Sequence, residues 1–267
     1  MEYTIDKVKI KNSDIAYLKF GNGKKRFVII PGLSIFSVID SAEEIVKAYE
    51  IFAEDYTVYL FDRKEKIEKG YSVAQMAEDT YEAIRELDLS DIYLFGASQG
   101  GMIALAMALV HPGLVNKLVI GSSCARVTKE SFNTIEGWIR KAKEKDGKAL
   151  YMDFTEKLYP QGLFNEYAEF FKGLGEKITA DDFERFIILA RATESFDILD
   201  KIKAIKCPLL AIASSDDKVI GLDGSLEISK EMEGNDSFSL YIYDGYGHAA
   251  FDTAPDYKER ILRFFNN

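Results

Sequence analysis

The 267-residue chain is poor in histidine and cysteine, with two of each, and holds five prolines and one tryptophan. Each scarcity excludes something. Cys124 and Cys207 form no Cys-x-x-Cys pair and cannot build a disulfide framework, which points to a reducing, cytoplasmic setting. Positive charge is in deficit: 34 Lys+Arg against 44 Asp+Glu leave a net charge of −10, which repels phosphate backbones and argues against a nucleic-acid partner. Long apolar runs are missing too. The stretch around Met102 to Val110 falls far short of the ~20 residues a bilayer demands, so no membrane partner is expected. The opening Met1-Glu2-Tyr3-Thr4-Ile5-Asp6 is polar and reads as no secretion leader. There is no Walker A run, no His-Glu-x-x-His and no Cys/His cluster, and Gly21-Asn22-Gly23 is too short for a dinucleotide fingerprint. Neither metal nor cofactor is expected, and the partner left is a small molecule, bound by a monomer or homodimer. Any chemistry that needs an imidazole has two candidates, His111 and His248.

What is present is ordinary globular composition, 47% hydrophobic and 29% charged. Val8, Ile10, Ile15, Tyr17 and Phe20 alternate as in half-exposed strands, whereas Phe27 to Ile30 is a continuous apolar run of the kind buried on both faces of a parallel sheet. Further strands read at Thr57–Phe61, Ile92–Phe95, Leu118–Ile120, Pro208–Ala213 and Phe238–Tyr243. Helical patterns fall between them at Asp40–Phe52, Ser72–Leu87, the segment ending at Val110, Leu222–Met232 and the last residues to Phe264. The alternation predicts an α/β fold with a mostly parallel central sheet flanked by helices. From Cys124 to Lys203 the strands cease and helical segments take over. This divides the chain into a core, 1–123 with 204–267, and a helical insertion, 124–203.

Gly96-Ala97-Ser98-Gln99-Gly100 fits Gly-x-Ser-x-Gly between a buried strand and a small-residue helix. A serine there sits on a sharp turn whose flanking positions tolerate only glycine. The turn lifts the hydroxyl clear and aims the first helical N–H groups at the space above it.

With Pro31-Gly32-Leu33 after one buried strand, Asp62-Arg63 after the next, His111-Pro112 after the elbow helix, Asp217 after a late strand and Gly247-His248 near the end, the chain resembles the α/β-hydrolase fold superfamily. The match is to members with a serine nucleophile and a helical cap, and it extends over nearly the whole chain. A serine hydroxyl needs a base within reach. His248 follows the last strand and opens at the same sheet edge as Ser98, whereas His111 lies ~20 Å from Ser98 along the elbow helix and reads as a helix terminator. The orienting acid is Asp216 or Asp217, both after Leu209–Ala213, with Asp244 more distant; the resemblance selects Asp217 and leaves Asp216 as a solvated loop charge. It also implies an oxyanion hole from the backbone N–H groups of Leu33 and Gln99, and acyl contacts from Ile35, Phe36 and Met102. Two departures stand out. Pro31-Gly32 replaces the common His-Gly, and Lys64 to Lys69, read as a solvated loop, replaces a glycine-rich stretch. The implied function is a carboxylesterase acting on a small or medium apolar acyl ester. Thioesterase, peptidase, carbon–carbon hydrolase and cofactor-free haloperoxidase chemistry share the same residues, and a ligand receptor on this fold is the rival from another class.

Overall fold

In the computed structural model, which describes residues 1–267, the apolar runs become strands, the central ones covered on both faces. These are β1 (Tyr3–Ile10), β2 (Ser13–Phe20), β3 (Lys25–Ile30), β4 (Tyr56–Phe61), β5 (Ile92–Ala97), β6 (Val115–Gly121), β7 (Leu209–Ser214) and β8 (Phe238–Tyr243). They form one sheet in the order β1-β2-β4-β3-β5-β6-β7-β8, antiparallel at β1–β2 and β2–β4 and parallel elsewhere. Because side chains alternate between faces, each central strand serves two layers. Val28, Ile30, Leu94, Leu118 and Ile120 belong to one core; Phe27, Ile29, Phe95, Val119 and Ile212 belong to the other. At the edge the burial thins, and of β1 only Val8 and Ile10 are buried.

The first core is closed by α2 (Val73–Glu86), α3 (Gln99–Val110) and α8 (Leu222–Glu231); the second by α1 (Ala42–Ala48) and, beyond α9 (Ala250–Thr253), by α10 (Tyr257–Asn266). Ser72 and Gln75 complete a reciprocal cap at the start of α2: Ser72 Oγ accepts from the Gln75 N–H at 3.2 Å, and Gln75 Oε1 accepts from the Ser72 N–H at 2.9 Å. The helix expected over Asp40–Phe52 is broken instead into a 3₁₀ turn, α1 and a second 3₁₀ turn. The break at Tyr49 lets Tyr49 and Phe52 both pack on Phe27, with ring centroids 6.2 and 4.6 Å away. Aromatic packing outweighs helical continuity here.

Between β6 and β7 four helices intervene: α4 (Lys129–Lys143), α5 (Gly147–Leu158), α6 (Gln161–Gly175) and α7 (Ala180–Arg191). The chain enters and leaves them through a narrow neck, where the Val127 N–H donates to the Phe196 carbonyl and the Ile198 N–H to that of Ala125. The insertion thus stands over the carboxyl edge of the parallel strands, where the loops bearing Leu33, Ser98, Asp217 and His248 converge. No helix is long and apolar enough to cross a membrane.

Candidate active site

Ser98 lies between β5 and α3 with φ 51° and ψ −120°, a region non-glycine residues rarely occupy. Strain of this kind costs on the order of 1–3 kcal/mol and persists only where neighbours enforce it. The Ser98 N–H donates to the Gly121 carbonyl at 2.7 Å, and Ser123 Oγ donates to the Ser98 carbonyl at 2.8 Å. The flanking glycines are obligatory: a Cβ at Gly100 would stand 2.0 Å from the Ile30 carbonyl oxygen, and one at Gly96 2.3 Å from that of Gly100.

His248 Nδ1 lies 2.8 Å from Asp217 Oδ2, and the two side chains are 1% and 2% exposed. The other carboxylate oxygen, Oδ1, accepts the N–H groups of Val219 at 2.7 Å and Ile220 at 3.1 Å. Burial alone would raise the Asp217 carboxyl; the facing imidazole and the two amides outweigh it and hold it below the usual range. With Nδ1 committed to the carboxylate, Nε2 is the ring nitrogen left for chemistry. No hydrogen bond joins Ser98 to His248 in this structure, but both border one cavity of about 320 Å³. Gly221 adopts φ 79°, a conformation closed to a proline ring locked near −65°.

The Leu33 and Gln99 N–H groups flank the same cavity, and neither has an acceptor within the protein. Two unpaired amides beside one cavity, one of them at the start of α3, are uncommon and suit an anionic oxygen. Arg63 joins the two segments that carry them. Its Nη2 donates to the Pro31 carbonyl at 2.7 Å and to Gln99 Oε1 at 3.2 Å, while Gln99 Nε2 donates to the Leu189 carbonyl at 2.7 Å. Burial pulls the Arg63 guanidinium down to about 10, so it stays cationic at neutral pH beside Asp62. Asp62 in turn accepts from Ser37 Oγ at 2.6 Å and from Arg185 of α7 at 3.1 Å.

The remaining candidates separate cleanly. Met102 borders the cavity; Ile35 turns into the core, and Phe36 leans on Tyr151 at 5.9 Å, so neither borders it. His111 stacks on Tyr81 at 3.5 Å and meets Glu78 at 3.1 Å at the far end of α3. Asp216 is not a solvated charge. It accepts the Gly247 N–H at 3.1 Å and Ser214 Oγ at 2.7 Å, which anchors the loop before His248. Asp244 accepts from Ser215 Oγ, away from the imidazole. Sequence reasoning missed the roles of Arg63, Arg185 and the Gln99 side chain, whose partners lie 32 to 123 residues away. From the insertion, Trp138, Phe154 and Tyr159 line the cavity. Burial pushes Cys124 up to about 12 and Cys207 up to about 11, so neither is a thiolate at neutral pH.

Comparison with known proteins places this geometry in context. The chain is 27% identical over 202 residues to the protein named "Putative carbamate hydrolase RutD" of Agrobacterium fabrum, covering 72% of this chain and 74% of that one. It is 24% identical over 273 residues to a "Putative esterase/lipase" of Haemophilus influenzae, covering 99% and 93%. Among solved structures, MGS-M2, an alpha/beta hydrolase enzyme from a Medee basin deep-sea metagenome library, superposes with a TM-score of 0.87 at 22% identity over 98% of both chains, which shows the shared fold. The family model described as alpha/beta hydrolase fold matches residues 36–255. With that match spanning β4 to β8, the serine turn and the His248 loop, the chain belongs to the alpha/beta hydrolase fold family.

Proposed function

We propose that this protein is a serine hydrolase cleaving esters of small or medium, largely apolar acyl groups through an acyl-enzyme. The carrying observation is the buried His248–Asp217 pair, whose imidazole borders the same apolar-walled cavity as the strained Ser98. Ser98 Oγ attacks the ester carbonyl as His248 Nε2 takes its proton, and Asp217 stabilises the imidazolium that forms. The carbonyl oxygen, now anionic, is held by the Leu33 and Gln99 N–H groups. Collapse of the adduct expels the alcohol, which receives the proton from His248. His248 then takes a proton from water, and the resulting attack releases the acid and frees Ser98. The insertion acts as a cap that places the Trp138, Phe154 and Tyr159 rings on the cavity wall. A carbamate is the second substrate class, favoured by the likeness to the RutD proteins, and it would pass through the same steps.

The test is covalent labelling by a fluorophosphonate together with turnover of an ester chain-length series. Wild type is labelled at Ser98, and Ser98→Ala loses the label and at least about 10⁴-fold in turnover. An unlabelled wild type, or equal turnover by the variant, overturns the reading and leaves a ligand receptor on this fold.

A further inference from the structure

The two ends of the cavity beside Ser98 differ in how they are closed. At one end the wall is Met102 of α3, Ile135 and Trp138 of α4, Thr193, Val219 and Ile220, each no more than 6% exposed. At the other, Val38, Ile45 and Phe251 are half-buried and Ser41 and Asp252 are exposed, so the cavity opens there. Proton transfer assigns the ends. His248 returns its proton to the leaving alcohol, so the alcohol lies on the side of the imidazole. Phe251, at the open end, follows His248 on the same loop, with ring centroids 6.3 Å apart. The acyl group therefore takes the closed end. That end is apolar with one exception. The Trp138 indole N–H is buried, in a residue 2% exposed, and has no acceptor in the protein. The Phe154 ring meets the indole T-shaped at 4.7 Å and offers no oxygen. Thr193 Oγ1 donates its proton to the Ala190 carbonyl at 2.8 Å, so Trp138 holds the one free donor of this wall. A buried tryptophan N–H ordinarily finds a partner, and leaving it without one is costly.

We propose that Trp138 is a specificity-determining residue that donates its indole N–H to an oxygen carried by the substrate's acyl group. The proposal rests on the hydrolase reading and narrows its substrate to esters of short alkanoic acids with an ether or keto oxygen along the chain. Met102, Ile135, Val219 and Ile220 surround the methylenes, and the indole supplies the polar contact. An oxygen seated beside the indole completes a hydrogen bond that the protein leaves unmade, whereas a methylene in its place keeps the donor unpaired. Discrimination follows from that asymmetry, because a site built to bond a substrate oxygen rejects the analogue that lacks it. The cavity wall holds no lysine or arginine, so a carboxylate at the end of the chain finds no counter-charge.

Pairs of p-nitrophenyl esters matched in length separate the possibilities: methoxyacetate with butanoate, 3-methoxypropanoate with pentanoate, and 4-methoxybutanoate with hexanoate. Each ether-to-alkanoate ratio of kcat/KM is divided by the same ratio for hydrolysis by hydroxide, which removes intrinsic reactivity. Wild type is expected to favour one ether by at least about tenfold on this scale. Trp138 is the only tryptophan, so biosynthetic replacement by benzothienylalanine, a ring of the same shape without the N–H, alters this position alone. In that protein the preference falls toward one, mainly through KM. No ether preference in wild type, or a preference unchanged by the replacement, overturns the proposal. So does a replacement that lowers the urea midpoint and leaves the preference intact, because the N–H would then serve packing against Phe154. Trp138 emission reads the site without turnover. A fluorophosphonate bearing the preferred ether chain, once bonded to Ser98, is expected to shift that emission to the red of the adduct with the matched alkyl chain; coincident spectra overturn the proposal. Labelling of Ser98 by either probe reports separately on the hydrolase reading, so the two failures are distinguishable.

Discussion

Asp216 and Asp217 are adjacent and chemically identical, yet the fold gives them different partners. Asp217 faces the His248 ring, whereas Asp216 holds the Gly247 amide that precedes it. One is in place to act on the imidazole and the other to position its loop. Replacing Asp217 with Asn leaves the shape and removes the charge that stabilises an imidazolium, so kcat is expected to fall by about 10⁴. Asp216→Asn keeps an acceptor for Gly247 and is expected to lose about tenfold or less. Steady-state kinetics on the two variants checks this, and the reverse order would reassign the acid. The same residue carries a pH signature. Asp217 is held below its unfolded value of about 3.9, so its contribution to stability is present above that pH and is lost as pH falls through the folded value. Urea midpoints taken at pH 6, 4 and 3 should therefore fall less in Asp217→Asn than in wild type.

At the scale of elements, the strand–turn–helix of β5, Ser98 and α3 is a junction in which backbone passes backbone without room for a methyl group. Gly100→Ala would push a Cβ into the Ile30 carbonyl at the end of β3, against backbone on both sides. The expected loss is about 3 kcal/mol or more, read as a lower denaturation midpoint, and a variant of unchanged stability would show that the junction gives way more easily than its contacts imply. The elbow was legible in the sequence because its requirements are local: small residues at fixed offsets from one serine, between a buried strand and a helix. The break of the Asp40–Phe52 segment was not, because it depends on Phe27, which reaches Tyr49 and Phe52 only after β3 enters the sheet.

Across the whole molecule, one network ties the sheet edge to the inserted helices. Arg63 bridges the Pro31 loop and Gln99, Gln99 reaches Leu189 in α7, and Asp62 takes Arg185 from the same helix. The two unpaired amides are thus held by a single guanidinium that does not border the cavity itself. Arg63→Met should lower kcat by about 10² to 10³ with a smaller change in KM, because the donors lose alignment while the apolar walls remain. A folded Arg63→Met protein with wild-type kcat would remove Arg63 from any positioning role.

What depends on neighbours along the chain was legible in the residues. Continuous apolar runs separated by helical periods determined a mostly parallel sheet, and Gly-x-Ser-x-Gly determined the turn at Ser98. Chain order set Asp217 and His248 in loops at one edge, because parallel strands all end on the same side. Tertiary structure decided which carboxylate meets the imidazole, that Ile35 faces the core rather than the cavity, and that Arg63 and Arg185 stand beside the site. Adjacent aspartates differ only in the direction their side chains take when a loop closes, and an arginine's partners over a hundred residues away have no local pattern. Of the two histidines, one meets a glutamate and a tyrosine on the surface and the other a carboxylate at the cavity; position along the chain separated them, and packing gave each its partner.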